Sequence, residues 1–283
     1  MQIIEQLYGQ IMSRIAIYEQ IAQKTHIVSE DEAKRIVTAE LSNYMSRLKL
    51  YLSDPKNANA QITIETGANI FLEVMQSGLS LSSIANHIYL SRMKGTGVNI
   101  GYKVTADGEI YLAQKSGAID HCSEPVLVWR GEQFSISNTP DGKQVAQHTM
   151  FFEGRPKFTL EGMLAGYIYV VYPDGSRELS WLSSERLKEL RAKSQNPAMY
   201  DDESFVQTKL IKHALRKVRK TPFAFSIGAD NTEEALPESI AQPSGNYAPA
   251  YIVSPPTHQQ AQPQSQPYAQ QPYPNNSQSN EPF

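Results

Sequence analysis

"KLIKHALRKVRKTPF", residues 209–223, places six Lys or Arg among fifteen residues of a chain whose net charge is −3. At helical spacing Lys209, Lys212, Arg216 and either Arg219 or Lys220 fall on one face, with His213 and Lys217 beside them. Val206, Leu210, Ala214 and Val218 recur every fourth residue as an apolar stripe, widened by Phe205, Ile211 and Leu215. Between residues 203 and 220 only Glu203 is acidic, so the sequence supplies the ridge with few neutralising neighbours. Many charge runs are simply the solvated face of a helix. A ridge of one sign, held down by a full apolar stripe, is also what a phosphate backbone requires, and composition favours that reading.

The other reactive residue types point away from catalysis. Histidines 26, 87, 121, 148, 213 and 258 show no metal-ligand spacing. "GVNIGYKVTADG" contains glycines but neither a phosphate-cradling loop nor a following Lys-Ser/Thr, so nothing marks a site of ATP hydrolysis. No nucleophile elbow is present. Asp201 and Asp202 stand just before the basic helix, where carboxylates complement the positive end of its dipole. That role outweighs the alternative, metal-dependent nuclease chemistry. The expectation is a protein that is not an enzyme and needs no cofactor, any Mg²⁺ arriving with bound DNA. The single cysteine, Cys122, excludes an internal disulfide framework and fits a reducing, cytoplasmic setting.

These residues need a scaffold, and a chain of 283 residues with 40% hydrophobic content can bury one. No apolar run approaches a membrane span, and "MQIIEQLYGQ" lacks the basic-then-apolar order of a secretory signal. Ile4, Leu7, Ile11, Ile15 and Tyr18 predict a first amphipathic helix. A second begins at Ser29 with Glu32 completing a capping box, and its apolar face runs through Ala33, Ile36, Val37, Leu41, Tyr44 and Leu48. "SDPKNANA" breaks the chain before a third helix over about 64–77 that closes at Gly78.

"HIYLSRMKGTGVNIGY" predicts a hairpin turning near Lys94–Gly97, and "GEIYLAQKSG" a short helix closing at Gly117. Strands follow near 119–130, 133–137, 145–152 and 163–172, and a last hairpin turns at residues 173–175. Helices return over Ser184 to about Lys193 and Asp202 to about Arg219. Helices, a mostly antiparallel sheet, then helices again define an α+β fold over residues 1–229. The N-terminal helices, rich in Ile and Tyr, serve equally well as core or as assembly surface. Residues 230–283 are rich in Pro, Gln, Ser and Asn without any period, which predicts a disordered tail. Lys and Arg end at Lys220, whereas Asp230, Glu233, Glu234, Glu238 and Glu281 follow. Removing those five from 29 acids leaves 24 against 26 bases, so residues 1–229 are mildly basic and the tail acidic.

The order of motifs resembles the RecT-type phage single-strand annealing proteins. "FLEVMQSGLSLSSIANHIYLSRM" at 71–93 is similar to the family's helix ending in "GL" and running into "HAYL". "VNIGYK" with "GEIYLAQKSGAI", "VLVWRGEQFSI", "AGYIYVVYPDGSRELSWLSSERLKELRAKS" and "FVQTKLIKHALRKVRKTPF" follow in the family's order across roughly residues 25–223. The resemblance implies ATP-independent binding and annealing of single-stranded DNA by a ring or helical filament of subunits. Its implied partners are the annealed duplex and a 5′→3′ exonuclease, in the host cytoplasm if the chain is phage-encoded.

The DNA contacts it implies are Lys209, Lys212 and Arg216, then Lys115, Arg92, Lys94 and Lys103, with Arg130 more distantly; Lys217 and Lys220 join them from the basic face read above. Tyr102 and Tyr89 are set either to stack on bases or to pack. Two departures stand out: Ser91–Arg92 where the family has Pro, and four extra residues, "VTAD", after "GYK". The terminal Glu281–Pro282–Phe283 resembles the tip of bacterial single-strand-binding proteins. It implies a tail that recruits a host protein of single-strand DNA metabolism, as on a DNA-protecting or scaffolding protein; the alternatives are a tail that folds back on its own basic groove and a spacer that only solubilises.

Overall fold

The computed structural model describes residues 2–92, 100–151, 157–194 and 196–218. Lys94, Arg219, Lys220, the turn expected at 94–97 and the tail with Glu281, Pro282 and Phe283 lie outside these residues. The fold is α+β: four helices, a hairpin, a fifth helix, a mostly antiparallel sheet, then two more helices.

The first expected helix is two. α1 (Gln2–Met12) and α2 (Ile15–His26) meet at a break where the Ser13 hydroxyl donates back to the Gln10 carbonyl at 2.8 Å and Arg14 leaves helical geometry. Apolar spacing continues across the break, so periodicity alone reads one helix. The bend is a tertiary choice that lets both segments pack on α4 (Ile64–Ser77). α3 (Glu30–Ser53) starts as expected, with the Ser29 side chain accepting from the Glu32 N–H at 3.3 Å. Its Ala33, Val37, Leu41, Tyr44 and Leu48 are all buried. Tyr44 stacks near Phe71 of α4, and Tyr18 of α2 meets the same ring edge-on, with centroids 5.8 and 5.0 Å away.

β1 (Ile88–Arg92) and β2 (Ile100–Val104) form the expected antiparallel hairpin, whose Ile88, Leu90, Ile100, Tyr102 and Val104 belong to the same core as α1–α4. α5 (Ala106–Lys115) follows at once, with Thr105 capping the Gly108 N–H. The extra residues "VTAD" are therefore not a loop. They form the end of β2, the cap and the first turn of α5.

The second half is layered on one long strand. β7 (Met163–Val171) pairs on one side with β3 (His121–Cys122) and β4 (Val126–Trp129), and on the other with β8 (Arg177–Ser183). Side chains alternate across a strand, so β7 offers Ile168 and Val170 to one layer, and Ala165 and Tyr167 to the other. α6 (Ser184–Lys193) and α7 (Glu203–Leu215) share buried clusters with this sheet. The hairpin of β5 (Gln133–Asn138) and β6 (Gln144–Thr149) packs Phe134, Ile136 and Ala146 against Ala165 and Tyr167. Glu132, its carboxylate buried, accepts from the Trp129 and Phe151 N–H groups at 2.7 and 3.1 Å and lies 3.1 Å from Nε2 of buried His148. The hairpin is thus tied to the sheet by a satisfied polar cluster.

Candidate nucleic-acid interface

α7 is built as its stripe demands. Val206, Leu210, Ala214 and Val218 are all buried, Leu210 at the closest approach to β7. A Cβ on Gly166 would stand 2.6 Å from Leu210 Cδ1 and 3.2 Å from Leu127 Cδ2, so the missing side chain sets how near α7 can lie. The helix is shorter than expected, closing at Leu215 rather than near Arg219. Beyond it a tighter turn continues, with Arg216 donating to the His213 carbonyl and Val218 to that of Leu215. Val218 stays buried because the stripe outlasts the α-helical geometry.

The expected single ridge divides by burial. Lys209 is half-buried, its ammonium 5.2 Å from the Phe205 ring and 6.0 Å from that of Tyr200. Lys212, also half-buried, donates from Nζ to the Val104 carbonyl at 2.9 Å and ties α7 to the end of β2. Arg216 and Lys217 are exposed. Half-buried His213 sits between these groups, and its pKa is lowered by burial first and then by Arg216, Lys217 and Arg186. Arg186, on the first turn of α6, also acts on the His213 charge, although no spacing argument from residues 209–220 reaches it. A signal was available: a cation in a helix's first turn opposes the dipole, which invites the question of what it serves.

The remaining cations are engaged elsewhere. Lys115 donates to the Ser77 carbonyl at 3.1 Å and lies 5.7 Å from the Tyr111 ring, and burial lowers its pKa. Gly78 makes room for it: with φ +74, any Cβ there would stand 2.0 Å from Lys115 Nζ. Arg92 donates to the Lys56 carbonyl at 2.7 Å. Arg130 donates to the Glu161 carbonyl at 2.6 Å and lies 3.6 Å from Glu185. Each of these three can offer further N–H groups to a ligand, but each is first a tie between neighbouring segments.

The tyrosine expectation separates into two outcomes. Tyr102 is buried, its hydroxyl 3.1 Å from a Glu73 carboxylate oxygen, and burial with that carboxylate raises its pKa. It is a core residue and is removed from the stacking set, because its strand position points it at α4. Tyr89 and Lys103 are cross-strand partners on the opposite face, Tyr89 exposed and Lys103 half-buried. Asp202 caps α7, accepting from the Ser204 N–H at 2.9 Å, and Asp201 lies 3.0 Å from Arg191. Among the described residues no group of three His, Cys, Asp or Glu side chains is placed to hold a metal ion, and no helix is long and apolar enough to cross a membrane. The chain matches no protein-family model and no curated protein.

Proposed function

We propose that this protein binds single-stranded DNA and anneals complementary strands without nucleotide hydrolysis. The observation that carries the reading is α7 and its closing turn: the buried apolar stripe leaves Arg216 and Lys217 exposed, with half-buried Lys212 and His213 next to them in the chain. Lys212 extends the basic set to the β1–β2 hairpin, whose outer face carries Tyr89 and Lys103. The ordered resemblance to the RecT-type annealing proteins supports the same conclusion.

Two single strands repel through their phosphates, and pairing them requires that their counterions be displaced. A basic surface that neutralises the backbone and leaves base edges open lowers that barrier and holds the strand extended. Watson–Crick pairing then supplies both the free energy and the sequence test. Repetition of the surface in neighbouring subunits would make the track continuous.

A fluorescence assay on complementary oligonucleotides, without ATP, tests this directly. The full chain accelerates pairing over the spontaneous rate. Retention of single strands with no acceleration would replace annealing by a protecting or scaffolding role, the function the tail implies. Degradation of the strands in Mg²⁺ would instead indicate a nuclease.

A further inference from the structure

We propose that the outer side of α1 is a two-fold contact, on which a second copy of this chain docks antiparallel with Tyr8 of each copy against Gly9 of the other. The contact goes beyond the reading above and does not depend on it. α1 packs on α4 through buried Leu7 and Ile11. That side is tight, for a Cβ on Gly67 of α4 would stand 2.6 Å from Leu7 Cδ2. Packing within the subunit therefore accounts for Gly67. It does not account for Gly9. That residue is exposed, a Cβ there would meet nothing within 4 Å among the described residues, and a glycine inside a helix costs stability that alanine keeps.

The residues beside Gly9 supply a reason. Glu5, Tyr8, Gly9 and Met12 recur at helical spacings of three and four, so they share one strip of α1, apart from the side that carries Leu7 and Ile11. Tyr8 and Met12 are 47% and 40% exposed, and Ile17, just past the break at Ser13, is 54% exposed. Single exposed apolar side chains are ordinary. Three of them on two consecutive helices mark a surface that gains from being covered. A glycine set between Tyr8 and Met12 lets the backbone of a second helix come close enough to bury both.

Charge selects the occupant. α1 holds no Lys or Arg, so a phosphate backbone finds no cation along it. Glu5 is exposed at the start of the strip and Arg14 is exposed just past its end. Antiparallel packing about Tyr8 and Gly9 brings the Glu5 end of one copy to the Arg14 end of the other, and two-fold symmetry repeats that pairing. A parallel arrangement would set Glu5 beside Glu5 and Arg14 beside Arg14. The strip is thus complementary to itself in one direction only. Rings and filaments grow by head-to-tail contacts, whereas this contact is isologous and closes at two.

Sedimentation equilibrium of the full chain over a concentration series tests the contact, with urea unfolding of the same proteins. Wild type is compared with Gly9→Leu, Glu5→Arg, Arg14→Glu and the double reversal. An isologous contact doubles whatever unit other surfaces build, so its loss halves the mass. Gly9→Leu fills the place taken by the partner's Tyr8 and should weaken association by about tenfold or more. Its urea midpoint, at a dilution that dissociates the wild-type pair, should rise, because leucine is the better helix former. Each single charge reversal acts at two places and should weaken association by about tenfold, and the double reversal should restore it. A mass and dissociation constant that Gly9→Leu leaves unchanged overturn the contact. So does a lowered midpoint in that variant, which would tie Gly9 to the subunit's own fold. Single reversals that weaken association without rescue in the double variant overturn the antiparallel second copy and give the strip to another occupant.

Discussion

At the scale of single residues, Lys212 and Arg216 differ in a way that their spacing hides. Both stand on the basic side of α7, but Lys212 supports the fold through the Val104 carbonyl and Arg216 is exposed. Lys212→Ala should therefore lower stability by about 1 kcal/mol, the net worth of a partly buried hydrogen bond, besides weakening DNA binding. Arg216→Ala, at an exposed position, should lower the urea midpoint less than Lys212→Ala and flatten the salt dependence by roughly 0.7. Binding of unrelated sequences should fall equally in both, because phosphate contacts carry no sequence information. Equal urea midpoints for the two variants would show that the Val104 bond contributes nothing.

At the scale of elements, the position of α7 rests on Gly166. Gly166→Ala forces a methyl group against the side-chain ends of Leu210 and Leu127, which must shift within their shared buried cluster. We expect a loss of about 1–3 kcal/mol in urea unfolding, with oligonucleotide affinity reduced further as α7 is lifted from the sheet. Affinity unchanged despite the loss in stability would mean that the register of α7 on β7 does not set the basic surface. The same element explains why the apolar stripe was legible and the helix end was not. Burial depends on side-chain period, which Val218 maintains, whereas the closing turn depends on backbone bonds that two geometries satisfy equally well.

For the whole molecule, three histidines act together on pH stability. His26, His87 and His213 have pKa values lowered chiefly by burial, and Nδ1 of His87 accepts a hydrogen bond from the Ser80 N–H at 3.2 Å. A histidine less basic in the folded chain than in the unfolded one binds fewer protons when folded. Its contribution is fully present above about pH 6.5 and is lost as pH falls through that value toward the folded pKa. Urea midpoints should therefore decline between pH 7.5 and 5.5, a range above that in which ordinary carboxylates titrate. His87→Gln should shallow the decline. A flat profile would show that these rings titrate alike in both states. The proposed annealing activity is expected within residues 1–229, so truncation after residue 229 should preserve it in the oligonucleotide assay. A truncated chain that binds but never anneals would move the activity to the tail.

The sequence by itself determined what local periodicity and local chemistry control. The caps at Ser29 and Gly78, the β1–β2 hairpin, the strands on either side of residues 173–175 and the buried stripe of α7 all follow from side-chain spacing and turn residues. Each is a choice made within a few residues of chain. Only the tertiary structure decided the rest, because charge and burial are set by what arrives from elsewhere in the sequence. It broke the first helix at Ser13 so that two segments could pack on α4. It turned Tyr102 inward to Glu73 while leaving its neighbour Lys103 on the outer face with Tyr89. It also drew Lys212 of α7 to the Val104 carbonyl at the end of β2, more than a hundred residues earlier in the chain. A basic helix can be read from one stretch of residues; a basic surface is assembled from several, and its members are known only when the core has placed them.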